Sequence, residues 1–86
     1  MIGVFMREKI ENILSEITPG IDLDCETLID SGYIDSLVLI NLVSELDIEF
    51  DIEIEFDELE VCNFNSVDAI QALVEKKVQL VENKKR

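Results

Sequence analysis

Asp35-Ser36, followed by Leu37, is the pair in this chain best placed to do chemistry. Either residue type caps a helix through a side-chain oxygen. A hydroxyl at a helix start is exposed, and it lies beside free backbone N–H groups and the positive end of the helix dipole, where a phosphodiester would be stabilised. The same serine has no internal base. The chain contains no His, which removes Ser–His nucleophilic catalysis and His metal sites. Cys25 and Cys62 are too few for a disulfide framework and read as small buried hydrophobes. Asp22-x-Asp24-x-Glu26 could open a calcium loop, but the sixth and twelfth positions hold Thr27 and Tyr33, where Gly and Glu are needed. No metal site is expected. The remaining carboxylates are scattered, and a domain of this size has no room for a large enclosed pocket, so the chain is not expected to be an enzyme.

The elements that must position Ser36 follow from apolar spacing. Met6, Ile10, Ile13, Leu14 and Ile17 form one helical stripe, ended by Pro19-Gly20. Residues 18–35 read as a long structured loop, rich in Asp, Ser, Thr and Gly but anchored by Ile21, Leu23, Leu28, Ile29 and Ile34. Loops of that length in a small domain are usually functional. A second helix opens at Asp35-Ser36 and turns Leu39, Leu42, Val43, Leu46 and Phe50 inward. Its opposite face should show Val38, Asn41, Glu45 and Glu49. From Ile48 to Phe56, apolar and acidic residues alternate strictly, which is the period of a strand. No second segment alternates to pair with it. The helix is therefore expected to run to about Phe50, with residues 51–55 as an extended connector pinned by Ile52 and Ile54, and a short helical piece near Phe56–Glu60. A last helix opens at Asn65-Ser66, with Asp68 in its first turn and a core stripe of Val67, Ile70, Leu73, Val74 and Val78. The expected fold is all-α: one domain over residues 1–86, a three-to-four-helix bundle with a long loop between the first two helices.

Charge narrows the partners. The chain of 86 residues carries 20 Asp and Glu against 7 Lys and Arg, a net charge of −13, and residues 10–75 contain no Lys or Arg. Nucleic-acid binding needs cations opposite phosphates, and anionic membranes repel such a surface, so protein partners with basic patches are expected instead. Lys76, Lys77, Lys84, Lys85 and Arg86 gather at the C-terminal end of the last helix, where cations suit the dipole, with a frayed basic tail at 82–86. The longest apolar run, Leu37–Ile40, is far short of a membrane span, and Met1–Arg7 is too short for a signal-peptide core. A monomeric, soluble cytoplasmic protein is the expectation.

The order Gly32…Asp35-Ser36-Leu37, then Leu42…Leu46…Phe50…Ile52-Glu53-Ile54, then Asn63-Phe64-Asn65-Ser66-Val67, resembles the acyl carrier protein family over most of the chain. The resemblance implies that a separate phosphopantetheinyl transferase attaches phosphopantetheine from coenzyme A to Ser36. The arm's thiol would carry acyl or aminoacyl groups as thioesters between enzymes. Asp35 would help place the metal and coenzyme A during that transfer. The second helix would dock on basic patches of acyl- or aminoacyl-loading and transferring enzymes through Leu37, Val38, Asn41, Glu45 and Glu49. Val38 and Asn41 stand where the fatty-acid branch is commonly acidic. The spacing and the Phe50-Asp51-Ile52-Glu53-Ile54 stretch also look like stand-alone D-alanyl and aminoacyl carriers, which work with an adenylating enzyme. The rival reading is an acidic helical interaction module that never carries a group.

The charge imbalance has a direct consequence. Repulsion among exposed carboxylates is screened over about 8–10 Å at moderate ionic strength. The melting temperature should therefore rise with added NaCl and rise further with Mg²⁺ in thermal denaturation followed by circular dichroism. A flat response to both salts would show that the acids lie too far apart to repel.

Overall fold

The computed structural model describes residues 2–84, with side chains described for residues 5–79. It is helical, with no strand among the described residues. α1 spans Ile2–Ile17, α2 Ser36–Phe50, α3 Val61–Phe64 and α4 Val67–Lys84, with one 3₁₀ turn at Phe56–Glu58. Each boundary has a local cause. Thr18 N–H still reaches Leu14 O at 2.8 Å, and Pro19 with Gly20, at φ 86°, ends α1. Asp35 is extended and caps α2 by accepting from Val38 N–H at 2.9 Å. At the other end Asp51 takes the left-handed conformation, φ 54°, which Asp tolerates better than most residues. Asp47 then holds the exit. Its carbonyl accepts from Ile52 N–H and its carboxylate from Ile54 N–H, both at 3.1 Å. Ser66 Oγ accepts from Ala69 N–H at 3.1 Å and starts α4.

α1 packs on both α2 and α4, α3 packs on α4, and α2 touches α4. The shared core holds Met6, Ile10, Ile13 and Leu14 of α1, Leu42 and Leu46 of α2, Phe64 of α3, and Val67, Ile70, Leu73 and Val74 of α4. The expected stripes of the first and last helices therefore face inward, with Ile17 and Val78 half-buried at their ends. Loop and connector complete the core. Leu28 and Ile34 are fully enclosed, and Ile52 and Ile54 are buried while Asp51, Glu53 and Glu55 stay exposed. The alternation from Ile48 to Phe56 thus serves a connector lying on the bundle rather than a strand. Arg7 of α1 bridges Asp68 in the first turn of α4 and Glu11 on its own helix, and Lys9 bridges Glu49 of α2.

Several expectations need correction. Cys62 is exposed rather than buried, because α3 turns its core-facing side through Phe64. Cys25 is half-buried and sits in a polar cluster, with Thr27 Oγ1 at 3.4 Å and Ser31 Oγ at 3.7 Å from its sulfur. The helical piece near Phe56–Glu60 is a 3₁₀ turn at Phe56–Glu58 followed by a separate α3, whose four residues are too few to leave a period in the sequence. Lys77 is not a helix-end cation. It is 8 % exposed, and its Nζ donates to Glu58 Oε1 at 2.9 Å. α4 extends to Lys84, and Lys85 and Arg86 of the expected basic tail lie outside the described residues.

The Lys77–Glu58 pair fastens the 3₁₀ turn to α4. Burial pushes the Glu58 carboxyl up, but Glu55 N–H and the Lys77 ammonium outweigh it and hold it below 4.5. The hydrogen bond to Glu58 outweighs burial at Lys77 and raises its ammonium above 10.5. A depressed carboxyl contributes stability above its unfolded value and loses it as pH falls through its lower folded value. A raised ammonium contributes below its unfolded value and loses it as pH climbs through its higher folded value. The pair therefore acts across the whole range between those limits. Lys77→Ala should cost about 1.5–3 kcal/mol in urea denaturation at neutral pH, the range for a hydrogen bond to a charged group. The loss should shrink in Glu58→Gln, and equal losses in both backgrounds would show that the pair is not coupled.

Candidate functional site

Ser36 is the first residue of α2 and is exposed. The capping work falls to its neighbour. Asp35 supplies Oδ1 to Val38 N–H and its carbonyl to Leu39 N–H at 2.8 Å. Ser36 Oγ makes no hydrogen bond to the described residues, so the two residues have separate jobs. The first N–H groups of a helix have no intrahelical acceptor. With Val38 and Leu39 served by Asp35, the N–H groups of Ser36 and Leu37 are left without an acceptor among the described residues, at the positive end of the dipole. A carboxylate with one oxygen in a cap keeps acceptor capacity at the other, which leaves Asp35 able to take a second partner.

The loop before Ser36 is held from a distance. Asn65, between α3 and α4, accepts Ile29 N–H at 2.8 Å on Oδ1, with Asp30 N–H at 3.4 Å on the same atom. Its Nδ2 donates to Asp30 Oδ2 at 3.1 Å, and its backbone carbonyl accepts from Leu28 N–H at 2.8 Å. Beyond that clamp, Ser31 N–H reaches Thr27 O and Gly32 N–H reaches Ile29 O. Gly32, at φ 90°, then reverses the chain so that Ile34 N–H returns to Leu28 O at 3.0 Å. A Cβ at Gly32 would meet nothing within 4 Å, so the constraint there is the backbone conformation and not space. Within the same loop, the Thr27 hydroxyl and N–H and the Ser31 hydroxyl hold the Cys25 thiol below its ordinary value.

Ser36 opens onto a cleft of about 310 Å³ lined by Ile29, Ile34, Asp35, Leu39, Leu59, Glu60 and Val61. A larger open cleft of about 480 Å³ lies between the 3₁₀ turn, α3 and α4, but it holds none of the expected attachment or docking residues. The smaller cleft is the one that an exposed serine helps to line.

The docking residues expected on α2 divide. Leu37, Asn41 and Glu45 are exposed. Glu49 is exposed but paired with Lys9 of α1. Val38 does not belong with them. It is half-buried and packs against the core, because it stands four residues before Leu42 and shares that row of the helix. The outward row is instead Leu37, Ile40, Ser44 and Ile48, all exposed. Sequence reasoning missed Ile40 and Ile48 because α2 is apolar on nearly every side, so its inward face was not marked by contrast. A run such as Leu37-Val38-Leu39-Ile40 was the available signal. No protein-family model, curated protein or solved structure matches the chain.

Asn65 generates a test of this geometry. Asn65→Ala removes the acceptor for Ile29 and Asp30 N–H and should cost about 0.5–1.5 kcal/mol, the range for a hydrogen bond whose groups water can still reach. Hydrogen exchange should speed up at Ile29 and Asp30 while the amides of α1 keep their protection relative to global stability. Unchanged exchange at those two positions would show that the loop holds its shape without Asn65.

Proposed function

We propose that the chain is a carrier whose Ser36 receives phosphopantetheine from coenzyme A, and whose arm then holds acyl or aminoacyl groups as thioesters. The observation that carries this reading is an exposed, uncommitted serine hydroxyl at the start of α2, beside an aspartate that caps the helix in its place. In the transfer, Ser36 Oγ attacks the β-phosphorus of coenzyme A. Its proton passes to a base of the transferase, and 3′,5′-adenosine bisphosphate leaves. No general base is needed in this chain, so a sequence without His is compatible with the role. The product phosphodiester would lie against the Ser36 and Leu37 N–H groups. The cleft lined by Ile29, Leu39, Leu59 and Val61 offers the arm an apolar wall. Asp35 would place the metal and coenzyme A on the transferase through the carboxylate oxygen not used by Val38 N–H.

Within that class, the uncharged Asn41 favours an aminoacyl or D-alanyl carrier, loaded by an adenylating enzyme, over a fatty-acid carrier, while the apolar Val38 is accounted for by its packing on the core. The chain itself performs no chemistry on the cargo in this reading. Incubation with coenzyme A and a broad-specificity transferase should add one phosphopantetheine mass to the wild type. Ser36→Ala should gain none while keeping its helical circular dichroism. A wild type left unmodified under conditions that load a control carrier would favour an unmodified interaction module.

A further inference from the structure

Residues 55–63, between the buried Ile54 and the buried Phe64, form a strap that bonds mainly to itself. Glu58 is its node. Its Oε1 accepts Glu55 N–H at 2.8 Å, and its carbonyl accepts both Glu60 N–H and Asn63 Nδ2 at 2.9 Å. Leu59 N–H reaches Phe56 O at 3.2 Å, and Asn63 N–H reaches Glu60 O at 3.0 Å. No residue of the strap is buried. Phe56, Val61 and Cys62 are exposed, and Leu59 is its one hydrophobic side chain packed against the core. Among the described residues, a single polar contact ties the strap to α1, α2, α4 or the loop before α2. That contact is Lys77 Nζ on α4, donating to Glu58 Oε1 at 2.9 Å.

The strap has space on both sides. On one lies the cleft of about 310 Å³ at Ser36, which Leu59 and Val61 line together with Ile29 and Leu39. On the other lies the open cleft of about 480 Å³, whose α4 side is Ala69, Ala72, Leu73 and Lys76. Glu60 lines both. Closing the first cleft would take apolar surface of the strap, the loop and α2 out of water, which is favourable. Pulling Glu58 away from Lys77 would leave a buried ammonium without its counter-charge, which is costly. The ion pair therefore opposes the apolar closure.

We infer that the Glu58–Lys77 pair is a stay that holds the cleft beside Ser36 open, and that the strap closes as one piece over Ile29 and Leu39 when the pair is released. The strap keeps its shape on release, because none of its internal hydrogen bonds runs through Lys77. Strap and stay act in the same way whether or not Ser36 carries a group.

Methyl NOE spectroscopy and hydrogen exchange on the isotopically labelled full chain provide the test. Lys77→Met keeps an unbranched apolar stem and removes the charge. Glu58→Gln keeps an oxygen for Glu55 N–H and weakens the tie to Lys77. In each variant, cross-peaks from Leu59 and Val61 to Ile29 and Leu39 should strengthen relative to the wild type. The double substitution should strengthen them no further than the stronger single change, since all three release the same contact. The amides of Glu58, Leu59 and Asn63 should keep their protection relative to those of α1. Unchanged cross-peaks in the folded variants would overturn the inference, because apolar contacts alone would then fix the strap. Weakened cross-peaks would overturn it by showing that the pair presses the strap onto α2. Loss of protection at Glu58, Leu59 and Asn63 in a folded bundle would also overturn it, since the strap would then melt rather than close. So would failure of both single variants to fold, because a stay can be released without losing the bundle. A phosphopantetheine mass gain, present or absent, alters none of these outcomes.

Discussion

The position of Ser36 depends on the four hydrogen bonds that Asn65 makes to the loop before α2. Residues 18–35 form no regular element, so their backbone groups cannot be satisfied by a ladder and must find partners singly. Leu28, Ile29 and Asp30 are served from one residue at the junction of α3 and α4. That clamp seats Leu28 in the core, and Leu28 in turn accepts Ile34 N–H after the Gly32 reversal. Ile34 is buried one residue before Asp35, so the start of α2 is set by a chain of contacts that ends at the junction of α3 and α4. The loop is long, but its tether is short. A serine delivered in this way can be exposed without being mobile, which is what a separate modifying enzyme would require of it.

Electrostatics oppose this arrangement. The last two turns of α2 carry Glu45, Asp47 and Glu49, and no cation lies in the last turn, where the helix dipole would favour one. The two bridges from α1 reach Glu49 and Asp68 and relieve the repulsion at single points. Asp47 is used structurally, since its carboxylate and carbonyl hold the connector. Glu58 is neutralised by Lys77. Glu55 shares a capping box with Glu58 and Glu60 accepts from the Cys62 thiol, whereas Glu45, Asp51, Glu53 and Asp57 make no side-chain hydrogen bond or ion pair to the described residues. Apolar burial by the four helices, the loop and the connector has to offset the cost of keeping them together.

The stripes of α1 and α4 were legible in the sequence because polar residues flank them at helical spacing; Ile10, Leu14, Val67, Ile70 and Val74 are the fully buried members. Asp35 and Ser36 were legible as a helix start, though not the division of labour in which Asp35 caps and Ser36 is left free. The connector was legible only by elimination, because an alternating strand without a partner is not stable. Three things were hidden for physical reasons. The orientation of α2 could not be read from a helix with hydrophobic residues at Leu37, Val38, Leu39 and Ile40 in succession, so Val38 was placed outside and Ile40 and Ile48 were overlooked. The Asn65 clamp joins residues 35 and 36 positions apart, and nothing in local spacing announces it. Lys77 looked like one more cation near a helix end, yet its partner lies 19 residues upstream.

The exposed apolar row of α2 and the acids beside it differ in what each can contribute to recognition. An exposed ion pair is worth about 0.2–1 kcal/mol and weakens with salt. Burying a side chain such as Leu, Ile or Phe is worth about 1.5–3 kcal/mol. Covering Leu37, Ile40, Ile48 and Phe56 would therefore dominate the affinity of any partner seated there, while the acids would mainly raise the rate of encounter. Under the carrier proposal the chain must also leave its partner once a group has been passed. A short row only three turns long, beside a hydroxyl at the helix start, suits a contact that forms quickly and does not persist. Substituting acids for the apolar row would keep the encounter and lose the docking, whereas neutralising the acids would keep the docking and slow it. The proposed modification at Ser36 and the face that begins at Leu37 are thus separable in energy, although they adjoin in sequence.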